Sequence, residues 1–132
     1  MSAVDDLLAN ARVGLRRLTA QEAWRETRAG ALLVDTRTER QRARQGELPG
    51  ALVIDRTVLE WRLDPTSPAR IPEAVGADTR VIVICRQGYS SSLAAASLRA
   101  LGLTRVTDVL GGVEAWLEAG LPLSGAPADV RD

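Results

Sequence analysis

The chain has 132 residues, 45% hydrophobic and 26% charged, which suits one packed core and is too apolar for a disordered segment. Seventeen basic residues, all of them arginine, balance seventeen acidic ones, so no basic excess exists to neutralise nucleic-acid phosphates. With no histidine, no lysine and one cysteine, the sequence excludes Ser-His-Asp and Cys-His dyads, Schiff bases, Walker-type phosphate grips and an internal disulfide; no metal and no cofactor is expected.

The apolar positions Val4, Leu7, Leu8 and Val13 suggest a short N-terminal helix. Thr19 followed by Glu22 reads as a capping box, opening a helix that runs to about Ala29 and stops at Gly30. Ala31-Leu32-Leu33-Val34-Asp35 is a short apolar run of the kind found in buried parallel strands. Thr38 and Gln41 repeat the capping pattern before a polar helix over Glu39 to Arg44, and the arginine-rich stretch Arg37 to Arg44, balanced by Glu39 and Glu47, reads as a solvated helix face. A turn at Gly46-Glu47-Leu48-Pro49-Gly50 leads into a second buried strand at 51–54, and 56–63 has roughly helical spacing until Asp64-Pro65 breaks it. Val81-Ile82-Val83-Ile84 is the clearest buried strand and runs straight into Cys85. A helix over Ser91 to Leu101, a strand over Val106 to Leu110 and a helix over Val113 to Ala119 complete the pattern.

Strands alternating with helices imply an α/β fold with a parallel sheet covered on both faces. Ligands of such sheets bind beyond the carboxyl ends of the strands, which is where Cys85 falls. The expectation is one domain over residues 1–132, with a core at about 18–123, a short N-terminal helix and a C-terminal tail. The acidic N-terminus lacks a basic-then-apolar signal layout, and no apolar run approaches the roughly 20 residues that span a bilayer. Together with a free thiol these features give the expectation of a cytoplasmic protein without membrane or nucleic-acid partners.

The segment Cys85-Arg86-Gln87-Gly88-Tyr89-Ser90-Ser91-Ser92 lies between a buried strand and a helix start. A lone cysteine after four apolar residues is by default a small core residue. Here the strand must end at Cys85, because Arg86-Gln87-Gly88 cannot continue a buried run. A loop curling around the sulfur turns backbone N–H groups inward, and the helix dipole adds partial positive charge, so thiolate is favoured over thiol. Gly88 permits a positive φ, the three serines can cap the helix and offer hydroxyls to an anion, and Arg86 adds a formal charge.

This loop resembles the active-site loop of the rhodanese-like domain family, where a cysteine opens a tight turn into a helix. Leu33-Val34-Asp35-Thr36-Arg37 with Glu39 resembles the family's Asp-x-Arg strand end. Gly46-Glu47-Leu48-Pro49-Gly50-Ala51 resembles its Gly-His-Ile-Pro-Gly-Ala turn, and Leu110-Gly111-Gly112-Val113-Glu114-Ala115-Trp116 with Gly120-Leu121-Pro122 its C-terminal signature. The resemblance implies an open, parallel, five-stranded sheet with helices on both faces. It also implies a sulfurtransferase in which Cys85 takes sulfane sulfur from a donor such as thiosulfate, holds it as a persulfide, and gives it to a thiol or cyanide acceptor, with an acceptor protein as a further partner. Cys85 is then the catalytic residue. Arg86, Gln87, Gly88, Tyr89, Ser90 and Ser91 form the substrate-binding loop, and Asp35, Arg37 and Arg56 support it. Two departures stand out: the family's frequent loop arginine is Ser90 here, weakening the grip on an anionic donor, and its turn histidine is Glu47.

Asp35 and Arg37 should lie at the same sheet edge as Cys85, more as a scaffold ion pair than as substrate contacts. Arg56 and Arg62 flank a helix that could overhang the pocket, though such arginines are more often solvated. Trp116 and Trp24 read as core. Two other functions compete. Cysteine-dependent phosphatase or arsenate chemistry would need an arginine clamp where this loop has Ser90 and Ser91. A non-catalytic binding module of the same fold would have little use for the retained cysteine.

Overall fold

Three capping boxes start helices where the sequence changes from turn to helical spacing. The computed structural model describes residues 1–132, and in it Ser2, Thr19 and Thr38 each accept a bond from the backbone N–H three residues on, while Asp5, Glu22 and Gln41 reach back to the cap N–H. These open α1 (Ala3–Arg12), α2 (Ala20–Arg28) and α3 (Glu39–Gln45). Between α2 and α3 runs β1 (Leu32–Asp35). After α3 come β2 (Leu52–Val53), a single 3-10 turn (Arg56–Val58) leading into α4 (Leu59–Leu63), β3 (Val81–Ile84), α5 (Ser90–Ala100), β4 (Val106–Asp108), α6 (Gly112–Glu118) and β5 (Asp129–Val130).

All strand pairs are parallel, in the order β4-β3-β1-β2-β5. Because side chains alternate along a strand, β3 feeds two separate cores. Val81 and Val83 face a layer with Leu59 and Leu63 of α4 and Ala94, Ala95 and Leu98 of α5. Ile82 and Ile84 face the opposite layer with Ala23 of α2 and Val113 and Trp116 of α6. Trp116 is fully buried, its indole N–H donates to Pro122 O at 3.0 Å, and Trp24 meets its ring edge-on at 5.6 Å between centroids. The doubly covered parallel sheet matches the expected architecture, with five strands.

The sequence pattern missed how the fifth strand arises. The expected C-terminal tail instead adds Asp129–Val130 to the edge of β2, with Arg131 N donating to Val53 O at 2.8 Å. Two residues carry no readable period, so only the pairing partner makes them a strand. No helix is long and apolar enough to cross a membrane.

Candidate active site

Strand β3 delivers Cys85 to the carboxyl edge of the sheet, buried to 5% exposure, and the chain then curls through Arg86 to Tyr89 into α5. The curl points main-chain donors at the sulfur: Gly88 N–H lies 3.2 Å and Ser91 N–H 3.4 Å from Cys85 Sγ. The N–H groups of Gln87, Tyr89 and Ser90 donate to no protein acceptor. Gly88 makes the curl possible. Its φ is +85°, and a Cβ there would stand 2.8 Å from Gly111 N.

The loop carbonyls are turned the other way. Cys85 O and Arg86 O accept from Val113 N and Glu114 N, the first free donors of α6, at 2.9 and 3.1 Å. Gly112 lets α6 come this close, because its φ of +58° and missing side chain place its Cα directly against those carbonyls. Donors face the sulfur and acceptors face α6, so the peptide dipoles turn their positive ends toward the pocket side of the loop, an arrangement suited to a bound anion.

Thr36, Gln41, Arg86, Gln87, Tyr89 and Ser90 surround Cys85 at a pocket of about 240 Å³. Of the expected binding residues, Gln87, Tyr89 and Ser90 line it with exposed side chains. Arg86 also lines it, but its Nε is 3.3 Å from Glu114 Oε2 in a half-exposed pair, a weak interaction in high dielectric.

Several expectations need correction. Ser91 presents its N–H to the sulfur but not its hydroxyl: Ser91 Oγ and Ser92 Oγ both donate to Asp108 Oδ2 at 2.7 Å, inside the core. Neither serine caps α5; its cap position is Tyr89, with no side-chain bond. Arg56 does not line the pocket, because its guanidinium turns to Glu60 one helical turn on, at 2.8 Å. Arg62 is likewise committed elsewhere, to Ala69 O and Asp132 O. Nor is the stretch from Arg37 to Arg44 all solvated. Arg37 has no exposed side-chain surface; it holds Asp35 through Nη2 at 2.8 Å and reaches Gly46 O at 2.9 Å. The pair ties the end of β1 to the end of α3, which sets where Thr36 and Gln41 stand in the pocket wall. Arg42 pairs with Glu47 at 2.7 Å.

Four residues outside the expected set shape the site. Asp108 is fully buried at the end of β4 and accepts from Ser91, Ser92 and Arg17. Arg12 and Arg17 both donate to Gly88 O, and Gly112 sets the approach of α6. Asp108 had a signal in the sequence: an acid inside the run Val106-Thr107-Asp108-Val109 must find a cation when buried. Arg17, 91 residues away, had none.

A parallel sheet with a cysteine at a strand's carboxyl end, cradled by main-chain donors, is the arrangement of a cysteine-loop enzyme that handles anions, and the rhodanese-like class has it. The rhodanese-like domain model matches residues 19–119, and the chain belongs to that family. A protein named sulfurtransferase from Allochromatium vinosum is 39% identical over 92 residues, covering 70% of this chain and 77% of its own. The thiosulfate sulfurtransferase GlpE of Haemophilus influenzae is 30% identical over 114 residues, covering 86% of this chain and 99% of its own. Among solved structures, a Rhodopseudomonas palustris protein of unknown function, described as a possible tyrosine phosphatase, superposes with a TM-score of 0.83 at 31% identity, covering 94% of this chain and 96% of the other. A human single-domain sulfurtransferase gives a TM-score of 0.65 at 28% identity, covering 77% of this chain and 95% of its own.

Proposed function

We propose that this protein is a thiosulfate sulfurtransferase-type enzyme that moves sulfane sulfur through a persulfide on Cys85. The observation that carries this reading is the inward-facing set of main-chain donors around Cys85 Sγ. The relatives named sulfurtransferase support the same reaction class.

In the first half-reaction the Cys85 thiolate attacks the sulfane sulfur of a donor such as thiosulfate. A bond forms between Sγ and that sulfur as the donor's S–S bond breaks, and sulfite leaves with the bonding pair. The persulfide's outer sulfur keeps the negative charge. The unpaired N–H groups of Gln87, Tyr89 and Ser90 are among the donors available to it. In the second half-reaction a thiolate or cyanide takes the outer sulfur and Cys85 leaves as thiolate. Splitting the transfer needs no general base once the thiolate exists, which suits a chain without histidine. Asp35 and Arg37 support the wall of the site through their buried pair and the bond to Gly46 O, and neither lines the pocket.

The test is intact-mass spectrometry after incubation with thiosulfate, followed by cyanide. The expected result is gain of one sulfur atom on Cys85, removed by cyanide, and no gain in Cys85→Ser, which keeps the fold because the exchange is nearly isosteric. No adduct with any sulfane donor would favour a binding module instead.

The likeness to a possible tyrosine phosphatase raises a second reading. Its weakness lies in the loop: Ser90 and Ser91 stand where a bidentate arginine would clamp a phosphoryl group, and Ser91 Oγ is spent on Asp108. Turnover of an aryl phosphate by the wild type, abolished in Cys85→Ser, would overturn the sulfur reading.

A further inference from the structure

Behind the sulfur loop, on the side away from the pocket, lies a polar cluster that the sulfur chemistry above does not use. Gly88 O accepts two guanidinium donors, Arg12 Nη2 and Arg17 Nη2, each at 2.8 Å. Arg17 also holds Asp108, through Nε to Oδ1 at 2.8 Å and Nη2 to Oδ2 at 3.1 Å. Arg12 Nε donates to Ser92 Oγ at 3.0 Å, and Ser92 Oγ in turn donates to Asp108 Oδ2 at 2.7 Å. The cluster holds two cations and one carboxylate, with only Arg17 bonded to Asp108, so a net positive charge lies behind a loop whose own arginine, Arg86, pairs with Glu114.

The backbone explains how the arginines arrive. Leu18 N donates to Asp108 O and Leu110 N to Leu18 O, so the segment before α2 lies along the end of β4 and sets Arg17 beside Asp108. Arg12 comes from the last turn of α1, a helix that buries none of its residues fully yet packs along α5. Both arginines precede the residues that the family model matches.

We propose that Arg12 and Arg17 are positioning residues for sulfur transfer, acting on the site through the Gly88–Tyr89 peptide. In a trans peptide the C=O and N–H are antiparallel. Fixing Gly88 O against the two arginines therefore directs Tyr89 N–H the opposite way, toward the pocket side, where it donates to no protein group. Two charge-assisted bonds on the oxygen also draw electron density from the peptide and make its N–H a stronger donor. The same bonds hold the positive φ of Gly88, whose own N–H is on Cys85 Sγ. The clamp thus both aims and strengthens the donors available to anionic sulfur.

The proposal deepens the sulfurtransferase reading and rests on it for its chemical purpose, but its test needs no sulfur donor. Arg12 is the residue to change, because its removal leaves Arg17 on Asp108 and strands no buried carboxylate. The measurement is the rate of Cys85 alkylation by iodoacetamide across pH, in wild type, Arg12→Gln and Arg12→Lys, with unfolding midpoints recorded alongside. In Arg12→Gln the neutral-pH rate should fall about fivefold while the high-pH plateau stays unchanged, as expected for losing one charge-assisted bond. Arg12→Lys, which keeps a cation at the carbonyl, should recover most of the loss. A merely structural role would lower the unfolding midpoint and leave the alkylation profile superimposed on wild type; that result, or a glutamine variant no slower than the lysine one, overturns the proposal. Sulfur loading of the wild type is scored separately, so either idea can fail alone.

Discussion

Gly112→Ala tests how the site is held open for an anion. At this position φ is +58°, and an alanine Cβ would stand 2.4 Å from Cys85 O and 2.8 Å from the carbonyl carbon and oxygen of Arg86. These are backbone atoms, so the start of α6 has to retreat. Retreat lengthens the bonds from Val113 N to Cys85 O and from Glu114 N to Arg86 O, now 2.9 and 3.1 Å. Losing both costs about 2 kcal/mol at a typical net of roughly 1 kcal/mol each. The left-handed backbone adds about 1 kcal/mol once the lower entropy of the unfolded alanine chain is set against it. Gly120→Ala is the matched control: φ there is +67° and nothing lies within 4 Å of the added carbon. It should lose only the backbone share, about 1 kcal/mol. Urea unfolding of the two variants should therefore differ by about 2 kcal/mol. Folded Gly112→Ala should also load sulfur more slowly, because freed carbonyls can rotate toward Cys85 Sγ and repel an anion. Equal stability loss in the two variants, or wild-type sulfur loading in Gly112→Ala, would refute the account of how α6 orients the loop.

Asp108→Ala should cost about 3 kcal/mol or more, since it leaves the Arg17 guanidinium, 14% exposed, without its carboxylate. In a denaturation cycle, the double change Arg17→Met with Asp108→Leu should recover part of that loss, and no recovery would mean the ion pair is not the source. Trp116→Phe removes the bond to Pro122 O and leaves a smaller ring in the buried slot beside Trp24, so thermal unfolding should show a loss of about 1–2 kcal/mol. The last prediction concerns pH. The bond from Arg131 holds the Glu73 carboxyl below its ordinary value of 4.5, and the same arginine lowers Asp129. A depressed carboxyl stabilises fully above its unfolded value and stops doing so as pH falls through the lowered one. Docking of β5 should weaken there, read as faster intrinsic-corrected exchange of the Arg131 amide; unchanged protection in Glu73→Gln at neutral pH would disprove the link.

The neighbourhood of Cys85 was legible because its causes are local. A run of β-branched residues that stops at a thiol, a glycine three residues on and small residues that begin a helix point to a tight loop before any packing partner is known. The buried Asp35–Arg37 pair was similarly accessible, with its partners two residues apart at a strand end. Hydroxyl direction was not: Ser91 and Ser92 read as ligands for an anion until Asp108 arrives from another strand to take both. Whether Arg56 would overhang the pocket or stay solvated was open in the sequence, and Glu60, one turn along, pairs with it instead.

What the amino-acid order determined by itself was every element whose energy comes from near neighbours: the capping boxes, the buried runs, and the curl of main-chain donors around one sulfur. Tertiary structure alone decided what stands behind that curl. Arg12 and Arg17 reach Gly88 across 76 and 71 residues, and Asp129–Val130 becomes a strand only because β2 offers an unpaired edge. Side chains that far apart leave no period or spacing to read; only closure of the sheet, with its layers of helix on both faces, brings them within bonding distance.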